Sequence, residues 1–255
     1  MTVIAVTNQK GGVGKTTTTI NLAAYLARSG ASVLIVDFDP QGNATSGLAI
    51  NKSALEQKTV YELLRGEVPV ADIVLPTAQK NLYILPTSTE LAASEVELVQ
   101  AEAREFVLKK ALSLATYDYI LIDCPPSLSL LTINALTAAD KVLIPVQTEF
   151  YALEGLGQLI DVVQRVRASV NPHLELLGVI MTMYDSRTSL SGAVKDELIK
   201  HFGDKVFNTV IPRNVRLAEA PSYGKTIAEH DKWSKGARAY KALAKEVRER
   251  TDGTR

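Results

Sequence analysis

Ten residues near the amino terminus, Asn8-Gln9-Lys10-Gly11-Gly12-Val13-Gly14-Lys15-Thr16-Thr17, have the make-up of a phosphate-binding loop. Glycines let successive backbone N–H groups turn onto phosphate oxygens, and a helix starting where the loop ends adds its positive pole. Lys15 is spaced to reach the β- and γ-phosphates, and the Thr16 hydroxyl to ligate Mg²⁺. The chemistry is that of a nucleoside triphosphate, ATP with Mg²⁺ foremost. Two carboxylate sets suit the same ligand. Asp37 and Asp39 end the apolar run that begins at Val33, and they share a face while the backbone stays extended. One of them is fit to orient a water towards the γ-phosphate, although the pair also suits a turn before Pro40. Asp123 closes Tyr119-Ile120-Leu121-Ile122, where a carboxylate binds Mg²⁺ directly or through water. Beside it, Cys124 reads as packing.

These groups need elements to hold them. Apolar runs over 3–7, 32–37, 119–123, 141–147 and 176–183 read as strands covered on both faces, with shorter candidates at 82–85 and 206–211. Helical patterns separate them over 15–29, 90–114, 128–138, 153–169 and 191–201, with a last helix over 236–250. Residues 44–86 are the least regular and hold short helices, 60–64 among them. The alternation predicts an α/β fold: one P-loop NTPase domain over 1–255, with a mainly parallel, twisted sheet flanked by helices. The phosphate loop then lies between the first strand and the first helix.

Formal net charge is zero, but 13 basic and 19 acidic residues precede Arg187, whereas 15 and 9 follow from it. The portion from about 187 to 255 is therefore basic, which suits an anionic partner. A single cysteine excludes a disulfide framework within the chain and a multi-thiolate metal site. The opening residues lack a secretory pattern, and no apolar stretch reaches the ~18 residues of a membrane span. A soluble, cytoplasmic protein is expected.

The loop departs from the G-x-x-x-x-G-K-[ST] pattern at its first glycine, where Gln9 stands, and it carries a second lysine, Lys10. Lys-Gly-Gly-Val-Gly-Lys-Thr-Thr resembles the deviant Walker A motif of the ParA/MinD ATPases. With the stretches 37–43, 123–127 and 219–225, the chain looks most like chromosomal, Soj-type ParA proteins. The resemblance implies slow ATP hydrolysis at a site made by Lys10, Gly11, Gly12, Val13, Gly14, Lys15, Thr16 and Thr17. Lys10 would reach the nucleotide of a partner subunit in an ATP-dependent homodimer. It further implies water positioning by Asp39, support of the loop and Mg²⁺ environment by Asp37, Mg²⁺ held by Thr16 and Asp123, and an adenine bordered by Pro212 and Asn214. The implied partners are double-stranded DNA bound without sequence preference and a ParB-type, Spo0J-like activator, with the ATP-bound form on the nucleoid and no membrane. Arg187, Lys195, Lys200, Arg213, Arg216, Lys225 and Lys232 are the candidate DNA contacts, since cations that neutralise phosphates dominate such binding.

Three other readings share the scaffold. A MinD-like membrane-cycling ATPase needs an amphipathic C-terminal helix free to lie on lipid, whereas Tyr240, Leu243, Ala244 and Val247 read as a docking stripe. A nitrogenase-iron-protein-like reductase needs two cluster cysteines per subunit. A dethiobiotin-synthetase-like ligase sits poorly with Asp39-Pro40-Gln41-Gly42-Asn43 and the basic C-terminal portion.

Overall fold

A computed structural model gives the architecture, and its described residues are 1–149 and 154–253. Eight strands, β1 (Thr2–Val6), β2 (Val33–Asp37), β3 (Leu75–Pro76), β4 (Leu82–Leu85), β5 (Tyr119–Asp123), β6 (Lys141–Gln147), β7 (Glu175–Tyr184) and β8 (Val206–Pro212), form one sheet. Their order is β3-β4-β2-β5-β1-β6-β7-β8. The short edge strand β3 runs antiparallel to β4, and the other pairings are parallel. The helices are α1 (Lys15–Arg28), α2 (Asn43–Gly47), α3 (Val60–Leu64), α4 (Val70–Ile73), α5 (Ser94–Glu97), α6 (Val107–Ala111), α7 (Leu130–Ala138), α8 (Glu154–Ser169), α9 (Ser189–Phe202), α10 (Val215–Glu219), α11 (Ile227–His230) and α12 (Lys235–Asp252). Leu153, with which the sequence opens the α8 pattern, lies outside the described residues, as do Thr254 and Arg255.

The strands read as continuous apolar runs because both faces are covered. Along β1, Val3 and Ala5 point into one core with Leu131, Leu136 and Leu159, while Ile4 and Val6 point into the other with Leu22, Leu26, Tyr240 and Leu243. The same two-residue period divides β2 and β5. β1 sits between β5 and β6, so the chain passes to one side of it for β2 and to the other for β6. That is a topological switch point, where ligands meet the carboxyl ends of the strands. At the end of β7 the register slips: Met181 pairs with Val210, but Tyr184 pairs with Pro212. Three steps on β7 match two on β8, which makes a bulge.

One expected element is corrected. Residues 90–114 are not a single helix but α5, α6 and short 3-10 turns, broken at Ala103, whose φ is +51°. Leu91, Leu98, Leu108 and Leu112 are buried while Val96 and Val99 are exposed. The four buried leucines fall within about 100° of one another on a helical wheel, the width of an ordinary apolar stripe, so their spacing alone does not impose the break. Asn134 of α7 secures the break: its Nδ2 donates to Arg104 O at 2.8 Å and its Oδ1 accepts from Leu108 N at 3.2 Å.

Helix α12 docks as its stripe predicts. Tyr240, Leu243, Ala244 and Val247 are buried against α1 and β8, and the Tyr240 hydroxyl lies 3.1 Å from Thr18 Oγ1.

Candidate nucleotide site

The loop leaves β1 and enters α1 through two left-handed glycines, Gly12 (φ +74°) and Gly14 (φ +88°). A Cβ on Gly11 or Gly12 would meet nothing within 4 Å, so this side of the loop is open to a ligand. No side chain caps the N-terminus of α1, which leaves its first N–H groups for an anion. The loop is braced from outside: Thr182 Oγ1 donates to Val13 O at 2.7 Å, and Asn8 Nδ2 to Pro145 O at 2.7 Å. Lys15 is buried, with Nζ donating to Lys10 O at 3.3 Å. Burial pulls its pKa below the usual lysine range, opposed by the charge of Asp123. A buried cation without a full counter-charge is prepared to gain by meeting phosphate.

The carboxylates converge from two strands. Asp37 and Asp123 are register partners at the ends of β2 and β5, and both are fully buried. Asp37 Oδ2 accepts from Thr45 N (2.7 Å) and Thr45 Oγ1 (2.6 Å), and Thr45 Oγ1 in turn accepts from Thr87 N. Asp123 Oδ1 accepts from Thr19 Oγ1 at 3.2 Å. Asp37 Oδ1 and Asp123 Oδ2 are buried with no partner. Burial raises the Asp37 carboxyl against the lowering effect of Thr45; burial, and then the charge of Asp37, raise Asp123. Asp39 is held at the cleft wall, its Oδ1 accepting from Gln41 N at 3.0 Å and its carbonyl from Gly42 N at 2.8 Å. Gly42 meets this turn with φ +62°, which favours glycine.

Two cavities meet at the loop. A cleft of about 580 Å³ is lined by Gly11, Gly12, Lys15, Thr16 and Asp39 among others. A more apolar pocket of about 300 Å³ is lined by Ile211, Pro212, Asn214, Leu217 and Tyr240. Gly14, Thr17 and Met183 line both. A polar compartment joined to an apolar one across a phosphate loop has the shape of a nucleotide, phosphates in one and base in the other.

Comparison with known proteins decides the family. A family model described as an AAA domain matches residues 1–176. The sporulation initiation inhibitor protein Soj of Bacillus subtilis is 57% identical over 247 residues, covering 96% of this chain and 97% of that protein. The chromosome-partitioning ATPase Soj of Thermus thermophilus is 56% identical over 244 residues, covering 96% and 94%. The chain belongs to the ParA/MinD-type ATPases. Among solved structures, cobyrinic acid a,c-diamide synthase from Mycobacterium smegmatis, with bound ATP analog and magnesium, superposes with a TM-score of 0.88 at 37% identity, covering all of this chain and 97% of that one.

In this ParA/MinD-type chain the donors suit Mg²⁺. An orphaned buried oxygen on Asp123 and the Thr16 hydroxyl at the cleft are hard oxygen ligands, and Mg²⁺ is commonly held by one or two protein groups plus substrate phosphates.

Lys10 is engaged at home: its Nζ lies 3.0 Å from Glu149 Oε2. The basic candidates scatter over several elements. Arg187 is paired with Asp185 at 2.7 Å, Lys200 with Glu197 at 3.4 Å, and Arg216 with Glu219 at 2.9 Å. Among the described residues, Lys195, Arg213 and Lys225 make no ion pair. Arg213 lines the apolar pocket and Lys225 the phosphate cleft, so neither is a surface residue alone. Lys232 lies over the exposed Trp233 ring, 5.2 Å from its centroid, beside a different groove.

Sequence reading missed Thr19, Thr45, Thr182, Met183 and Tyr240. Thr19 had a signal, lying three residues beyond Thr16 on the same helix face. Thr182, Met183 and Tyr240 reach the site through tertiary packing and had none.

Proposed function

We propose that this chain is an ATP-driven switch for DNA segregation. The reading is carried by one convergence: a two-lysine phosphate loop with Asp39 on the wall of its cleft and Asp123 buried near Lys15, in a chain 57% identical to Soj over nearly its whole length. ATP and Mg²⁺ bind with the loop, Lys15 and Thr16 on the phosphates and metal, Asp123 on the metal, and the base between Pro212 and Asn214. Two ATP-bound subunits close face to face, each Lys10 leaving Glu149 for the partner's phosphates. The γ-phosphate supplies the differential contact that such a switch requires. The closed dimer aligns basic residues of the C-terminal portion on duplex DNA, without sequence preference, on the nucleoid in the cytoplasm. Asp39 orients the hydrolytic water, and a ParB-type activator accelerates turnover and release.

The buried stripe of α12 weighs against a membrane-cycling role, because docking already occupies the face that lipid would need. No helix among the described residues is long and apolar enough to cross a membrane.

The test is binding to an arbitrary duplex with ATP, ADP or no nucleotide over a salt series. ATP-dependent binding that falls steeply with salt is expected, and the slope counts the phosphate contacts. ATP-induced dimers that bind no DNA would sink the proposal.

A further inference from the structure

Met183 lies outside every motif, yet three observations single it out. It is a non-glycine residue at φ +50°, in the left-handed region that side chains seldom adopt. It falls in the bulge at the end of β7, where the register against β8 slips. It lines both the phosphate cleft and the apolar pocket; the two other residues that do so, Gly14 and Thr17, come from the loop and helix opposite.

Its neighbours hold it there. The hydroxyl of Thr182 donates to Val13 O at 2.7 Å, and the carbonyl of Thr182 accepts from Thr148 N at 3.3 Å. On the other side, the carbonyl of Tyr184 accepts from Arg213 N at 3.2 Å. The backbone is thus tied to the phosphate loop before Met183 and to the rim of the apolar pocket after it. A bulge re-aims a side chain, and a strained conformation persists where the surroundings over-determine it. Here both deliver one flexible, apolar side chain to the junction of two compartments.

We infer that Met183 is a positioning residue for the middle of the nucleotide: it supports the sugar between base and phosphates and couples the two half-sites. This rests on the nucleotide reading of the cleft. It predicts selectivity for a whole nucleotide over a bare polyphosphate, to which Met183 contributes only in the first case.

The experiment compares Mg²⁺-ATP with Mg²⁺-tripolyphosphate by calorimetric titration of wild type, Met183→Gly and Met183→Asn. Glycine and asparagine both accept the left-handed conformation, so either variant should fold. The expected result is an ATP affinity about tenfold weaker in both variants, with tripolyphosphate affinity unchanged and the KM for ATP raised at constant kcat. Unchanged ATP affinity, or equal weakening for both ligands, would overturn the role given to Met183. A wild type that binds neither ligand would overturn the nucleotide reading itself.

Discussion

At the scale of single residues, the buried amine of Lys15 faces a loop open for a ligand. Replacing it by alanine removes both a desolvated cation and the main counter-charge for phosphate. Lys15→Ala is expected to weaken ATP binding by about 100-fold or more while the melting temperature changes little. Calorimetric titration beside a thermal melt checks this, and undiminished affinity would move the site elsewhere. Thr19 acts one step back: its hydroxyl, shared between Lys15 O at 3.1 Å and one oxygen of Asp123 at 3.2 Å, helps to hold that carboxylate while the other oxygen is left for a cation. Thr19→Val keeps the volume and deletes the donor. The Mg²⁺ concentration for half-maximal ATP hydrolysis should rise about tenfold, and Thr19→Ser should restore it. A Thr19→Val enzyme with the wild-type Mg²⁺ response would mean that Asp123 does not need the Thr19 hydroxyl for its orientation.

At the scale of elements, Asn134 tests how the chain is broken before β5. Its two hydrogen bonds, one buried and one partly buried, fasten helix α7 to the turns around Ala103. Asn134→Ala should cost about 2–3 kcal/mol, read as a lower urea midpoint at unchanged slope, and a loss below about 0.5 kcal/mol would show the break to be self-sufficient. The break also shows where sequence reading ends. The strands that carry Asp37 and Asp123 were legible because a buried parallel strand needs a continuous apolar run, and the loop was legible because phosphate binding needs glycines and a lysine in order. Over 90–114 the helix-forming residues are good and the buried leucines keep a helical face, so the break comes from partners remote in sequence such as Asn134. Asp39 was legible as a carboxylate at a strand end; the bulge that brings Met183 to the ligand depends on how β7 and β8 pair. The α12 stripe was legible as amphipathic, yet only packing shows that Tyr240 both closes a core and lines the pocket beside Gly14.

At the scale of the molecule, the charge gradient along the chain becomes a distribution over the surface. Several of its cations already have acidic partners, and exposed pairs of that kind are weak. Arg216 is the more discriminating DNA probe, because Arg213 also lines the nucleotide pocket. Arg216→Glu should weaken DNA binding of the ATP-bound protein about tenfold or more at low salt, with ATP-dependent dimerisation intact by light scattering. Unaltered DNA affinity would place the contact surface elsewhere, the Lys232 groove being the next region to probe.

The single thiol has a practical consequence. Cys124 is wholly buried at the end of β5, and burial pushes its pKa well above the ordinary thiol range. A thiolate is the reactive species, so the native chain presents almost no background to a maleimide or a spin label. A cysteine introduced on the surface away from the site, at the exposed Lys109 for instance, would be the sole labelling position without removal of the natural one. Fluorophores placed that way would let subunit approach be followed in real time, while slow modification of Cys124 would record the opening of the sheet beneath the nucleotide.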